Sequence, residues 1–151
     1  MEWDSLLARL QATPVWLRTM LSDTGQQRGK RSPSPGAWSA GEILAHLRAA
    51  DAILAPRIVL IVMTDTPALP AVDERALAER AGYLEDAIQV ALAAFTARRG
   101  ELVRLLERLP QADWKRRGIH PERGAIGVAE IAAMVVEHEE EHRLQMEAAL
   151  Q

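Results

Sequence analysis

The stretch Val136–Gln145, VEHEEEHRLQ, carries the pattern from which both the fold and the candidate chemistry of this chain follow. His138 and His142 are four residues apart, so on a helix their imidazoles share one face, about 6 Å from each other along the axis. Flanking residues continue this face in steps of three and four: Val128, Ile131, Val135, Gln145 and Ala149. The pattern predicts a helix that turns the two histidines toward a core.

The two histidines have two interpretations. A single histidine on an apolar helix face is usually a core residue that is hydrogen-bonded to a neighbour. Two imidazoles at this spacing both need partners, and one divalent cation supplies a partner to each of them at once. The spacing of His138 and His142 therefore indicates a pair of metal ligands, with a hydrogen-bonded core pair as the alternative.

The amino-acid composition of the chain excludes several classes of function. The 151 residues, 48% of them hydrophobic and 26% charged, predict one soluble globular domain over residues 1–151. The net charge of -3, with no long basic run, predicts that nucleic acid is not a partner. The absence of cysteine excludes disulfides, thiolate metal sites and a cysteine nucleophile. No signal peptide and no membrane-spanning run is visible, so we expect a cytoplasmic protein without membrane association.

Apolar periodicity predicts four long helices, and no stretch shows the alternation of period two that is typical of a strand. The predicted ranges are Trp3–Leu21, Ser39–Met63, Leu84–Leu109 and Val128–Leu150. Thr13-Pro14 is expected to cap, kink or restart the first helix. Ser39 and Glu42 have the spacing of a capping box at the start of the second. Four helices with apolar stripes predict an all-α four-helix bundle, a fold whose core builds metal sites from facing helices.

The remaining histidines suggest the third ligand. Without cysteine, that ligand must be a histidine or a carboxylate. His46 lies within the second predicted helix, whereas His120 precedes Pro121 in a predicted loop. His46, His138 and His142 therefore form the candidate site, which would join the second helix to the fourth.

Other polar residues have weaker assignments. Glu42, one turn before His46, and Gln145, just after His142, are candidates for orienting the ligands, although Glu42 is explained equally well by the capping box. Asp51 and Glu139 are candidate general bases, with ordinary polar helix residues as the alternative. Arg99 lies on the apolar stripe of the third helix, where we expect it to snorkel past the core to solvent.

Four segments together resemble a known family. They are Trp38–Leu47 (WSAGEILAHL), Arg99–Leu102 (RGEL), His120–Gly124 (HPERG) and His138–Met146 (HEEEHRLQM). In combination they are similar to the DinB-like superfamily of metal-dependent enzymes, and the resemblance covers nearly the whole chain. It implies an antiparallel four-helix bundle with a long crossover connection, a zinc or nickel ion on the three histidines, and a homodimer. Characterised members transfer low-molecular-weight thiols such as bacillithiol or mycothiol, or isomerise thiol adducts.

We therefore expect a metal-dependent enzyme with a small-molecule substrate. The metal would activate a low-molecular-weight thiol cosubstrate, as in an S-transferase, or water, as in a hydrolase, with Glu139 or Asp51 as the base. A non-enzymatic bundle in which the metal only ties two helices together is the alternative. His138–His142 also matches the HExxH motif of zinc proteases. That interpretation is the least favoured, because no predicted strand is available to hold an extended peptide.

Overall fold

Helices form most of the structure, a computed structural model that describes residues 2–151. In chain order the elements are α1 (Glu2–Leu21), α2 (Gln26–Lys30), α3 (Ala40–Met63), α4 (Glu74–Arg80), α5 (Ile88–Glu107), a 3₁₀ turn (Asp113–Lys115), β1 (Arg117–His120), β2 (Gly124–Gly127) and α6 (Val128–Ala149). The long helices α1, α3, α5 and α6 confirm the predicted bundle. Within residues 2–151, every helix is too short or too polar to cross a lipid bilayer.

The four long helices occupy the corners of the bundle. The main contacts of α1 are with α5 and α6, and those of α3 are with the same two helices, so α1 and α3 lie at opposite corners. One apolar cluster contains Leu21 and Met146 from the ends of α1 and α6, together with Ile43 and Ile88 from the starts of α3 and α5. Two helices therefore run opposite to the other two. The connection of residues 64–87 returns the chain from the end of α3 to the start of α5, and this is the predicted long crossover.

Capping chemistry explains where α3 begins. The Ser39 Oγ accepts a hydrogen bond from the backbone N–H of Glu42 at 3.2 Å, and the Glu42 Oε2 accepts one from the backbone N–H of Ser39 at 2.7 Å. The predicted capping box is confirmed. Pro14, by contrast, lies inside a continuous α1 and does not restart it. The third long helix begins at Ile88, later than the predicted Leu84, because residues 84–86 continue a turn that ends in a bend and Ala87, the N-cap, is extended with a ψ of 146°.

The expectation that the chain has no strands is wrong for residues 117–127. β1 pairs with β2 in antiparallel register, from Arg117 opposite Gly127 to His120 opposite Gly124. Gly118, Gly124 and Gly127 contribute no side chains, so these strands of four residues each show no alternation of apolar and polar side chains. The hairpin also fixes the crossover, because the backbone N–H of Leu69 donates to the carbonyl oxygen of Ile119 at 2.8 Å.

A layer of polar side chains lies between the two larger apolar clusters of the bundle core. Each long helix contributes one residue to this buried polar layer: Thr13, Asp51, Arg99 and Glu139. Arg99 is only 1% exposed, so the expectation that it snorkels to solvent is wrong. It lies near the middle of α5, with apolar clusters on both sides, and its guanidinium therefore finds partners inside the protein.

Arg99 is the centre of this layer. Its Nη2 donates to Asp51 Oδ1 at 2.6 Å and to Glu139 Oε1, and its Nη1 donates to the Leu10 carbonyl oxygen at 3.1 Å. Thr13 Oγ1 donates to Glu139 Oε2 at 2.6 Å. Burial lowers the pKa of Arg99, but the charges and hydrogen bonds of Glu139 and Asp51 outweigh that effect and raise it above its ordinary value. The core thus contains a charged group that is held by all four long helices.

Candidate metal centre

Three imidazoles meet where α3 packs against α6. The Nε2 atom of His46 lies 2.7 Å from Nε2 of His138, which lies 3.1 Å from Nε2 of His142. One ligand atom from each residue falls within 4.8 Å of the other two, and all three residues are half-buried. The structure therefore brings together the three histidines that the sequence selected, although they are up to 96 residues apart in the chain.

The partners of the outer nitrogens, Nδ1 of His142 and of His46, determine where each ring carries its hydrogen. The inner nitrogens, the Nε2 atoms that face one another, then carry the free lone pairs. The Nδ1 atom of His142 lies 2.7 Å from the side-chain oxygen of Gln145, which only accepts hydrogen bonds, so Nδ1 carries the hydrogen. The Nδ1 atom of His46 likewise faces Glu74 Oε1 at 3.4 Å. The Nε2 atoms of His46 and His142 are then left with bare lone pairs aimed at His138. Imidazole nitrogens converging in this way fit a divalent cation such as Zn²⁺ or Ni²⁺.

The protonation state of the site suits a metal. Burial, followed by the charge of His142, lowers the pKa of His46 to about 4. Burial, followed by the charges of His142 and His46, also lowers the pKa of His138 to about 4, with Glu74 and Glu141 acting in the opposite direction. Both rings are consequently neutral at pH 7, and neutral imidazole is the form that coordinates a metal ion.

Neighbouring side chains support the three rings. Trp38, which precedes the N-cap of α3, stacks on His142 at a centroid distance of 6.0 Å and tilts against His46 at 5.1 Å. Gln145 contacts His142, as the sequence predicted. The Glu42 side chain lines the cavity beside His46, but its Oε2 is occupied by the capping box. Of the two predicted supporting residues, Gln145 alone has a hydrogen bond to an imidazole within residues 2–151.

The two candidate bases occupy the buried polar layer. Glu139 follows His138 in the chain, and that single step rotates its side chain by about 100° around α6, toward Arg99 and Thr13. Asp51 Oδ1 contacts Arg99, and its buried Oδ2 has no hydrogen-bond partner within residues 2–151. Neither carboxylate contacts an imidazole in the part of the chain that is described. The HExxH interpretation also loses support, since the Glu139 carboxylate is held by Arg99.

Glu74 is a site residue that the sequence did not reveal. It is the first residue of α4, where the Asp73 side chain caps the helix by accepting from the backbone N–H groups of Arg75 and Ala76. No local pattern in the sequence indicates that α4 packs on α3. Through this packing the Glu74 carboxylate, which is 40% exposed, reaches His46.

A cavity of about 450 Å³ opens beside His138. Its walls come from α3, α6, the crossover and the turn of the hairpin. They carry three carboxylates, of Glu74, Glu137 and Glu141, and two guanidinium groups, of Arg57 and Arg123. We call this space the His138 cavity. It is large enough for a small molecule.

Comparisons with known proteins agree with this fold. The sequence profile of the family described as the DinB superfamily matches residues 2–146. A solved structure of YfiT from Bacillus subtilis, described as a probable metal-dependent hydrolase with an unusual four-helix bundle topology, superposes with a TM-score of 0.84 at 21% identity, covering 96% of this chain and 83% of that one. No curated protein matches the sequence significantly.

A second solved structure is that of a mycothiol-dependent maleylpyruvate isomerase. It superposes with a TM-score of 0.75 at 13% identity, covering 95% of this chain. The present chain spans 60% of the length of that isomerase. At these identities the two solved structures show only that this chain shares their fold. Their names describe different reactions, a hydrolysis and an isomerisation.

Proposed function

Because the chain belongs to the DinB superfamily, we propose that it is a metal-dependent enzyme that acts on a small molecule, with one divalent ion on His46, His138 and His142. The observation that carries this proposal is the convergence of three imidazole nitrogens, with one of the rings, His138, lining a cavity. Three protein ligands leave a coordination position free, as in catalytic metal sites, whereas structural zinc sites use four protein ligands.

The protein's own residues prepare this site. Gln145 and Glu74 face the outer nitrogens of His142 and His46, which keeps the inner lone pairs pointed at a common centre. Trp38 packs on the same two rings and excludes water from one side. When bound, a zinc or nickel ion would lower the pKa of a thiol or a water molecule at the free position and make it a nucleophile at neutral pH.

We assign the general base to Glu74. Its carboxylate lines the His138 cavity, lies 3.4 Å from His46 and is partly exposed, so it can accept a proton from a nucleophile in the cavity. Glu139 and Asp51, by contrast, are engaged by Arg99. Because the chain has no cysteine, a thiol nucleophile would be a cosubstrate such as a low-molecular-weight thiol. Thiol transfer and hydrolysis are the two reaction classes that this arrangement supports.

A turnover assay tests the proposal. Untagged, metal-loaded protein is assayed with several low-molecular-weight thiols and a reactive electrophile, and in parallel with a panel of ester and amide substrates. We expect metal-dependent turnover with one of these two sets of substrates. Glu74→Gln is expected to lower the turnover rate about a hundredfold or more while the metal content is retained. Turnover no higher than that of His138→Ala in every arm, with metal bound to the unmodified protein, would favour the alternative of a non-enzymatic metal-binding bundle.

Gln145 provides a second test that does not need a substrate. Gln145→Ala removes the oxygen that accepts from His142 Nδ1, and we expect the metal affinity to fall by about tenfold, since losing a residue that orients a ligand costs about 10–100-fold. Competition with a chromophoric chelator measures the change. Gln27→Ala, at an exposed position of α2, is the matched control and is expected to bind metal like the unmodified protein. Equal affinity of the two variants would exclude a supporting role for Gln145.

A further inference from the structure

Arg57 places a guanidinium group in the His138 cavity. It lies about three turns after His46 on the same face of α3 and lines the cavity wall. Its Nη2 donates to the Pro70 carbonyl oxygen at 2.9 Å, and this contact holds the side chain against the crossover. Its Nε is buried and has no hydrogen-bond partner within residues 2–151. A buried donor without a partner is uncommon in folded proteins and indicates an absent acceptor.

Arg123 enters the same cavity from the turn of the hairpin. His120, which is 8% exposed, fixes this turn, because its Nδ1 accepts from the backbone N–H groups of Glu122 at 3.1 Å and Arg123 at 3.2 Å. The Nη1 atom of Arg123 lies 3.9 Å from Met134 Sδ, one turn before His138 on α6. His120 is thus a positioning residue for Arg123 rather than an ordinary loop histidine.

The two guanidinium groups lack a counter-charge. Burial, followed by the charge of Arg123, lowers the pKa of Arg57, so the two cations are close enough to repel each other. Neither of them forms an ion pair with a carboxylate anywhere in residues 2–151, although three glutamates line the same cavity. Glu74, one of these glutamates, faces His46 instead. Two unpaired arginines that share one cavity wall form a site for an anion.

We propose that the His138 cavity binds its substrate by a carboxylate or phosphate group held between Arg57 and Arg123, with the reacting end of the molecule beside His138. The fork of a guanidinium group matches either oxyanion. Ile53, Leu54 and Val72 line the space between and would contact an apolar segment. The position of the reacting end rests on the proposed function. The two arginines and a divalent ion on the histidines would together carry four positive charges, against three negative charges on the carboxylates of the cavity.

Binding of simple probes tests this inference without a known substrate. Benzoate, phenyl phosphate and neutral benzamide are titrated into metal-loaded protein by calorimetry at low salt, after the metal content has been measured. We expect one or both anions to bind and benzamide not to bind. The preference between benzoate and phenyl phosphate distinguishes the carboxylate from the phosphate. Equal binding of benzamide would overturn the proposal.

Arginine variants provide the decisive comparison. Arg57→Gln and Arg123→Gln are each expected to weaken anion binding by about tenfold or more, as the loss of a charged hydrogen bond predicts, with unchanged metal content. Arg104→Gln removes the same charge from an exposed position of α5 and is the control. Arg123 is exposed, so its variant is expected to fold even if Arg57→Gln disturbs the contact with Pro70.

Two outcomes separate this inference from the proposed function. Anion binding that is lost in His142→Ala but unaffected in both arginine variants would show that the metal alone holds the anion, and would overturn the inference. Absence of stoichiometric metal from the unmodified protein would overturn the proposed function instead. Arginine-dependent binding of benzoate or phenyl phosphate to that metal-free protein would still support the anion site.

Discussion

Alanine at His46, His138 or His142 is expected to lower the affinity for a divalent metal ion by at least about a hundredfold. Even residues that only orient a metal ligand change the affinity by about 10–100-fold when they are replaced, and each of these histidines would supply a ligand atom directly. Metal analysis of protein purified without a histidine tag, followed by competition with a chelator, measures the effect. Full metal content and unchanged affinity in His46→Ala would exclude the three-ligand site.

Two comparisons make this experiment specific. His120→Ala removes a histidine from the hairpin turn, outside the cluster of three, and is expected to leave the metal affinity nearly unchanged. Removing the metal from the unmodified protein should lower the free energy of unfolding, because an ion on the three histidines would join α3 to α6. An ion at a hundred times its dissociation constant contributes about 2.7 kcal/mol if it binds only the native state. The alanine variants of the three histidines should lose this difference between loaded and chelated protein.

Replacing Arg99 with methionine is expected to lower the free energy of unfolding by about 3–5 kcal/mol, the usual cost of removing one partner from a buried ion pair. The substitution keeps an unbranched side chain in the core but leaves Asp51 and Glu139 without their cation. Thr13 still donates to Glu139, whereas Asp51 Oδ1 loses its donors. Urea unfolding followed by circular dichroism measures the change.

The neighbouring residue gives the matched control for this prediction. Arg98→Met changes the same side chain at a half-buried position that lines a separate surface groove, and we expect a change within about 0.5 kcal/mol. A loss in Arg99→Met no larger than in Arg98→Met would show that the buried polar layer contributes little to stability. Glu139→Gln should be destabilising in the same assay while the metal remains bound, since Glu139 contacts Arg99 and Thr13.

Helical periodicity made the bundle and the cluster of histidines predictable. The apolar stripes specify four long helices, and a helix holds residues four apart on one face, so His138 and His142 follow from local geometry. His46 followed because, of the two remaining histidines in a chain without cysteine, it is the one within a predicted helix. The capping box at Ser39 is equally local. Each of these features depends on residues that are close in sequence or on composition.

The features that were missed depend on packing between distant segments. Glu74 reaches His46 because α4 folds back on α3. Arg123 reaches the cavity from the turn of a hairpin whose strands are rich in glycine, so the sequence shows no alternating pattern from which to predict them. Arg99 was expected to reach solvent because a single helix does not reveal that two carboxylates face it from other helices. Adjacency to His138 in sequence also does not place the Glu139 side chain beside the imidazoles, since one residue on a helix separates side chains by about 100°.

The contact of Glu139 with Arg99 also constrains the rotational angle of α6. Its bond to Arg99 fixes one direction around the helix axis, and His138, the preceding residue, then projects at a fixed angle of about 100° to that direction. Turning α6 enough to withdraw His138 from His46 would pull a carboxylate away from a buried guanidinium. The direction of the His138 imidazole is thus coupled to a buried ion pair about 100° away around the helix, and neither partner of that pair is a candidate metal ligand.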